Sequence, residues 1–333
     1  MSSLDALTAG ERGPQPPTEA FVPTALDPNT RADKFAATSA ERFADAVLER
    51  EDPLARRSPW RTRFEDLVRK PGLVLALVWS AVILLAAFVP SLLAPGDPLD
   101  GVPADKLQAP SSAHWFGTDQ LGRDLYTRVV HGTHLTLAAA LTAVLVGLVV
   151  GALVGLVAGF VGGVVDDVAM RVVDVLLSIP ALLLSLALIT VLGFGTINVA
   201  IAVGLANVAS VSRIMRSEVL RVRTSVFVEA SHASGSRWWT TLGRHVLPNA
   251  IGPVVVLAAL ELGAAVLAVS SLSFLGYGEP PPAPEWGALV AGGRDYLRTS
   301  WWLTTLPGLT IVATVLAAGR ISRALDGDPG RNR

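Results

Sequence analysis

Long runs of apolar residues, almost free of charge, alternate along the chain with polar segments. Five of these runs are long enough to cross a bilayer, which takes about 20 residues of helix: 71–96, 135–165, 175–212, 246–278 and 299–319. The run at 175–212 is too long for one span, and its GFGTIN stretch at 193–198 divides it into two. A segment inside lipid must satisfy its backbone groups internally, so the spans are expected to be helical. The pattern predicts an all-α integral membrane protein with six transmembrane helices.

Basic residues are distributed unevenly between the polar segments. Six helices would place four polar segments on one side of the bilayer: 56–70, 162–174, 213–244 and the chain end from 320. These segments hold seventeen lysines and arginines, whereas the segments on the other side hold five. Composition agrees with the membrane class, since 51% of the residues are apolar and 17% are charged. Because basic loops stay in the cytoplasm, we expect a multi-pass protein of the bacterial plasma (inner) membrane with both termini cytoplasmic.

The expected domain organisation follows from the same pattern. Residues 1–57 form a cytosolic extension, because the opening MSSLDALTAG lacks the apolar core of a signal peptide. The extension is a loose tail or holds a short amphipathic helix at 40–49. Residues 58–110 hold the first transmembrane helix and the start of an extracytoplasmic loop. Residues 111–326 form the transmembrane domain, and 327–333 a cytosolic tail.

Motifs for catalysis and metal binding are missing from the sequence. None of the three lysines follows the glycine that a phosphate loop requires, and the five histidines form no H-E-x-x-H zinc motif. No serine lies in a G-x-S-x-G element, and the chain has no cysteine for thiolate sites or disulfides. We therefore expect no catalytic, metal-binding or cofactor-binding residue in this chain and no enzymatic activity.

Glycines recur at every fourth residue of the second apolar run, so they share one face of a helix: Gly147, Gly151, Gly155, Gly159 and Gly163. Small residues in such a row allow another membrane helix to approach at backbone contact. One interpretation is tight packing inside the bundle. The other is a face that slides or tilts during transport.

A polar, arginine-bearing segment at 224–249 lies between two nearly uncharged runs, and this pattern indicates a docking surface. Residues 225–234 favour a short helix, Gly235 a turn, and Ser236 the cap of a second helix. We expect Pro248 to end that second helix before the fifth span. The residues assigned to the surface are Glu229, Ala230, Gly235, Trp238, Trp239, Leu247 and Pro248. Physical reasoning leaves two occupants open, a groove on a partner protein or the lipid interface.

Two polar features lie within the apolar runs. Glu261 is a candidate intramembrane polar site, because a carboxylate at that depth is costly unless it is paired or functional. It either pairs with another helix or acts in gating or in binding a substrate amine. Pro180 is expected to kink the third span.

Two groups of charged residues flank the apolar runs. Residues 166–174 carry four charges, which we interpret as mutual ion pairs and helix-end charges or, alternatively, as a regulatory or ligand site. In the outer loop, Asp119 and Asp124 are expected to fix turns by accepting from backbone amides, with Arg123 paired to either. The alternative is contact with a binding protein or with peptide termini.

The segment at 224–249 resembles the E-A-A-x-x-x-G-x(9)-I-x-L-P signature of permease subunits of binding-protein-dependent ABC importers. Matching positions are Glu229, Ala230, Gly235, Leu247 and Pro248, with Ser231 in place of alanine and His245 in place of isoleucine. HWFGTDQLGRDLYTRVVHG at 114–132, with Gly117, Thr118, Asp119, Gly122, Arg123 and Asp124, resembles the extracytoplasmic motif of the dipeptide/oligopeptide/nickel branch. Residues 271–297 resemble its late loop. The resemblance covers about 58–326, and the chain is identified as the C-type permease of the pair.

The resemblance implies a type I importer permease fold, with six transmembrane helices and a cytosolic coupling helix between helices 4 and 5. It implies four kinds of partner: a second homologous permease, two cytosolic ABC ATPases that bind ATP and magnesium, an extracytoplasmic substrate-binding protein, and membrane lipid, with no nucleic acid. The implied function is ATP-driven import of di- or oligopeptides, with nickel or another small solute as the alternative substrate. A self-sufficient carrier or channel is the alternative from a different class.

Overall fold

The computed structural model describes residues 71–326, whose regular secondary structure is helical and whose connecting loops contain two isolated β-bridges near residues 101–124. Their α-helices are α1 (Pro71–Phe88), α2 (Pro90–Leu93), α3 (Leu125–Val161), α4 (Gly163–Ser178), α5 (Ala181–Leu192), α6 (Thr196–Arg223), α7 (Val226–Ala233), α8 (Trp238–Thr241), α9 (Leu247–Phe274), α10 (Trp286–Gly293) and α11 (Trp302–Asp326). The extension at 1–57, its possible helix at 40–49, residues 58–70 and the tail at 327–333 lie outside the described residues.

Five helices in the described part of the chain are long and apolar enough to cross a membrane: α1, α3, α6, the continuous helix Trp238–Phe274 and α11. The α4–α5 pair adds a sixth span if its two helices are counted together. The predicted all-α membrane class is confirmed. The prediction of six spans depends on that bent pair.

The third predicted span is broken rather than kinked. α4 ends at Ser178, α5 begins at Ala181, and the two axes meet at 98°. Ile179 and Pro180 both have extended backbone, with ψ of 128° and 130°. A proline disfavours helical backbone in the residue before it, so two successive residues leave the helix and the chain changes direction.

The second predicted span starts ten residues earlier than the apolar run, because polar residues extend α3 to Leu125. Asp124 caps its first turn by accepting from the Thr127 amide at 2.8 Å. His131 Nε2 lies 3.1 Å from the carbonyl oxygen of Ala94, and His134 Nδ1 lies 3.2 Å from that of Ala87. These two histidines face backbone carbonyls at the end of α1 and just after α2.

Two large clusters of buried side chains form most of the core of the described residues, and a third, small one surrounds Ala86, Ala94 and Val130. One large cluster joins α3, α6, α9, α10 and α11, with Leu125, Leu272 and Trp286 at its centre. The other joins the far ends of α3 and α6 to the start of α9, around Met215, Val219 and Val254. It also includes Val228 of α7, so this second cluster supports the short helices that follow α6.

Candidate functional site

The helix α7 divides the 224–249 segment into a packed face and a free face. Val228 and Ser231 are buried, with Val228 1% exposed against the core. Val226, Phe227 and Ala230 point away from the chain, and Val226 is 81% exposed. The free face is therefore mainly apolar, with the exposed Glu229 beside it, and it is uncovered within the described chain.

A tight turn at Gly235 connects α7 to α8. Gly235 has φ of +75°, a value that side-chain-bearing residues adopt at a cost. The Ser236 amide donates to the Ser231 carbonyl at 3.2 Å, and the Ser231 and Thr241 hydroxyls lie 3.1 Å apart. The predicted turn is observed. The predicted Ser236 cap is wrong, because Arg237 occupies the cap position and no side chain caps α8.

The two adjacent tryptophans lie on the same exposed surface as α7. Trp238 and Trp239 are both more than half exposed. The Arg237 guanidinium lies 5.2 Å from the centre of the Trp239 ring, and Trp238 approaches the Phe160 ring at 6.3 Å. We name the α7–α8 surface formed by Val226, Phe227, Ala230, Trp238 and Trp239 the docking face.

Pro248 does not end the helix that begins at Trp238, contrary to the sequence-based expectation. A wide π-helical turn at Leu242–Val246 leads directly into α9, with Pro248 in the first turn of α9. There a proline needs no amide partner, and the π turn relieves the clash that its ring would have with the preceding turn. The α8 part of the docking face, Trp238 and Trp239, is therefore joined to α9 by unbroken helix, Trp238–Phe274.

The glycine row packs α3 against α6 over three helical turns. A Cβ at Gly147 would lie 3.0 Å from the Gly204 carbonyl oxygen, and one at Gly159 would lie 3.0 Å from Val219 Cβ. Between them, a Cβ at Gly151 would lie 2.7 Å from Val211 Cβ, and one at Gly155 would overlap the Ser212 carbonyl. The backbones of α3 and α6 meet because these positions have no side chain.

Gly163 is the exception in the predicted row. α3 ends at Val161, Gly162 turns the chain with φ of +73°, and Gly163 begins α4 with nothing within 4 Å of its Cβ position. The sequence reasoning also missed Gly204 on the facing helix, whose Cβ would lie 2.6 Å from the Ala143 carbonyl oxygen. Gly204 stands alone in its helix, so no repeat revealed it.

Two of the four charges at 166–174, Asp166 and Asp174, pair with arginines of α6 and not within the segment. Arg216 binds Asp166 through two nitrogens, with Nη2 to Oδ2 at 2.6 Å, and Arg213 Nη2 lies 2.6 Å from Asp174 Oδ1. The expected mutual pairs are wrong because the α4 helix lies beside α6, whose arginines the local sequence pattern could not place. These pairs fix α4 near the end of α6 that carries the docking face.

Glu261 has the interhelical partner that was expected of it. Asn207 Nδ2 of α6 donates to Glu261 Oε2 of α9 at 3.0 Å. Asn207 also lies beside the glycine row, since a Cβ at Gly147 would be 3.3 Å from its Cβ. The pair therefore connects α6 and α9 close to the α3–α6 contact.

The outer loop has the turn geometry predicted for its acidic residues. Asp119 Oδ1 accepts from the amides of Leu121 and Arg123 at 2.8 and 3.0 Å, and its Oδ2 accepts from Arg123 Nε at 2.7 Å. Asp124 caps α3 and faces His114 Nδ1 at 2.9 Å. The remaining motif residues shape the same turn: Gly117 and Gly122, with φ of +74° and +78°, and Thr118, whose carbonyl accepts from Trp302 Nε1 at 3.2 Å.

Arg123→Ala should lower the amount of protein in the membrane. The buried Asp119 carboxylate would lose its closer charged partner, at 2.7 Å, and keep Arg128 at 3.7 Å, so the cost is at most the roughly 3 kcal/mol of a broken buried pair. Immunoblotting of isolated membranes measures the level. Arg294→Ala is the matched control, because Arg294 forms an exposed pair with Asp295 at 3.3 Å, worth about 1 kcal/mol or less. A normal level of the Arg123 variant with lost transport would instead favour contact with a binding protein or peptide termini.

Glu285 is a buried carboxylate that the sequence reasoning did not single out. It is fully buried before α10 and accepts from Ser273 Oγ at 2.5 Å, Thr196 Oγ1 at 3.3 Å and the Glu279 amide at 3.3 Å. Burial raises the pKa of Glu285 above its usual value, and these hydrogen bonds offset only part of that rise. Its partners join the start of α6 to the end of α9. The sequence feature that could have identified Glu285 is its position between a proline-rich stretch and Trp286-Gly287.

Comparison with known protein families decides what this arrangement belongs to. The family model described as "Binding-protein-dependent transport system inner membrane component" matches residues 151–328, more than half of the chain. The chain belongs to this family. The residues that match the family model include the docking face, most of the glycine row and Glu261. The outer-loop motif at 114–132 precedes them.

Relatives extend the similarity of this permease beyond the family model. The dipeptide transport system permease protein DppC of Alkalihalophilus pseudofirmus is 36% identical over 276 residues, which is 83% of this chain and 90% of the relative. The glutathione transport system permease protein GsiD of Pectobacterium atrosepticum is 36% identical over 78% of this chain and 87% of its own length. The di/tripeptide transport system permease protein DppC of Pseudomonas aeruginosa is 36% identical over 78% and 88%.

These findings confirm the resemblance drawn from the three sequence blocks. The protein is a C-type permease of the peptide/nickel branch, a multi-pass inner membrane component of a transport system that works with other subunits. The role assigned to each residue of the docking face stays a prediction.

Proposed function

We propose that this permease forms half of the path of an ATP-driven importer for di- or oligopeptides, and that its docking face receives a separate ATPase subunit. The observation that carries the proposal is the docking face itself, an exposed and mainly apolar surface whose α8 part is joined by unbroken helix to α9. The peptide substrate is supported by the relatives, which are described as dipeptide, glutathione and di/tripeptide permeases.

The complete importer would contain three kinds of component besides this permease. A second homologous permease supplies the other half of the path, and two cytosolic ATPases bind ATP and magnesium. An extracytoplasmic binding protein delivers the peptide to the outer loop. The excess of basic residues on one side supports cytoplasmic termini and a cytoplasmic docking face.

The packing suggests how force on the docking face would reach the path. Val228 of α7 and Val246 of the π turn both belong to the core cluster that holds the ends of α3 and α6 and the start of α9. Movement of α7 and α8 would therefore bias α6 and α9 together. These two helices are also joined by the hydrogen bond from Asn207 to Glu261.

Cysteine cross-linking tests the proposal, because the chain has no cysteine of its own. Ala230→Cys and Trp239→Cys each place one thiol on the docking face. We expect both to capture an ATPase subunit in native membranes, with a yield that changes when ATP is added. Leu121→Cys, half exposed in the outer loop, is the matched control and should capture none. Reactive docking-face thiols that capture no ATPase with or without ATP would refute the proposal and favour the lipid interface or a self-sufficient carrier.

A further inference from the structure

An open cleft runs between α1 and α11 at the end where α1 begins. Its apolar part, of about 320 Å³, is lined mainly by Leu75, Ala76, Trp79, Ala313 and Leu316. Trp79 Nε1 donates to Thr314 Oγ1 at 3.1 Å, so the indole closes the inner end of the cleft by joining the two helices. The cleft is therefore a groove built by two fixed helices and open along its side.

A wider, charged mouth continues the groove beyond Gly72. This part measures about 590 Å³ and is lined by Arg320 and Arg323 together with the first residues of α1. Both guanidinium groups lie over glycines, since a Cβ at Gly72 would be 3.6 Å from Arg320 Nη1 and one at Gly319 would be 3.7 Å from Arg323 Nη1. Neither arginine forms an ion pair with a carboxylate whose position the structure describes.

We infer that this groove binds one anionic phospholipid, with the phosphate at Arg320 and Arg323 and an acyl chain along the apolar part. The shape and the charge agree: an apolar groove that opens toward lipid ends at two cationic side chains. Leu75 and Leu316, which line the apolar part, are 70% and 61% exposed, as expected of side chains that face acyl chains. The sequence adds Arg69 and Lys70 directly before α1. In the proposed orientation the lipid belongs to the cytoplasmic leaflet.

A phospholipid fits these features better than a free anion or a protein segment. A free phosphate would use the arginines but leave the apolar groove unused. An acidic peptide segment in extended conformation would have to expose its backbone amides to lipid along the open side, which is costly. A diacyl lipid uses both parts and needs no backbone partner.

Native mass spectrometry of the detergent-purified transporter tests the inference with phosphatidylglycerol and phosphatidylcholine as probes. We expect one phosphatidylglycerol bound at least tenfold more tightly than phosphatidylcholine. Arg320→Gln and Arg323→Gln should each weaken phosphatidylglycerol binding about fivefold. Arg298→Gln, which removes an outer-loop arginine, is the matched control and should leave the affinity unchanged.

Two further arms identify the ligand and the groove. Glycerol phosphate, which has the headgroup chemistry without acyl chains, should not displace the lipid at equal concentration. Ala313→Phe, which fills the apolar part without changing charge, should weaken binding of phosphatidylglycerol at least fivefold. Equal affinity for both lipids, no effect of the two arginine variants, or displacement by glycerol phosphate would each overturn the inference. Lipid binding is measured without transport, so the result is independent of the proposed function.

Discussion

Gly155→Leu should remove most of the folded protein from the membrane. The Cβ of any side chain at Gly155 would overlap the Ser212 carbonyl and lie 2.8 Å from Met215 Cβ and 2.9 Å from the Arg216 amide nitrogen. These are backbone or stem atoms of α6, so no rotamer change makes room. Overpacking of a core costs about 1–3 kcal/mol and more where backbone must move. We expect a loss above about 3 kcal/mol, measured as protein level in membranes and as the thermal midpoint of the purified subunit.

Two comparisons show whether the α3–α6 contact causes the loss. Gly308→Leu is the matched control, because Gly308 is also helical and has nothing within 4 Å of its Cβ position. Gly147→Ala should be milder than Gly155→Ala, since its nearest neighbour would be 3.0 Å away. A Gly155→Leu protein with normal level and transport would contradict both interpretations of the glycine row, tight packing and a sliding face.

Gly235→Val should reduce peptide uptake at least tenfold and leave the amount of protein in the membrane unchanged. Gly235 has φ of +75° and open space around it, so the effect comes from backbone strain and not from a clash. A side-chain-bearing residue in this region costs about 1–2 kcal/mol, and β-branching adds to it. The short α7 relieves that strain by tilting away from α8, which displaces the docking face. Uptake of a labelled dipeptide, normalised to membrane level, measures the change.

Gly235→Asn is the control for this prediction, because asparagine tolerates left-handed backbone better than other residues with a side chain. It should retain most of the uptake. Uptake of the valine variant at the unmodified level would show that the turn geometry is unnecessary for coupling. A fall in the membrane level of the valine variant would show that Gly235 serves folding and not transmission between subunits.

Both variants act on one connected set of elements. The glycine row holds α3 against α6, and the turn at Gly235 holds the docking face against the core cluster beneath α7. The continuous helix Trp238–Phe274 then joins the α8 part of the docking face to α9. A change at either position is therefore expected to reach the same two helices, α6 and α9, which meet at Asn207 and Glu261.

The sequence alone predicted the features that depend on nearest neighbours along the chain. Apolar run length predicted the membrane class, and the four-residue spacing predicted a shared face for Gly147 to Gly159. Turn chemistry predicted the turn at Gly235 and the backbone amide hydrogen bonds of Asp119 and Asp124. The three sequence blocks predicted the family because each combines residue types whose local geometry is restrictive.

Features that depend on contacts between segments distant in the sequence were decided only by the tertiary structure. Asp166 pairs with Arg216, fifty positions away. Gly204 packs directly against the backbone of α3, although it is the only glycine in α6 and so forms no repeat. The 98° break at Pro180 and the unbroken helix through Pro248 show the same dependence. A proline has no amide hydrogen in either place, but surrounding packing and the π turn decide whether the helix ends. Local sequence specifies which conformations are available, and long-range packing selects among them because its contacts join residues that are distant in the chain.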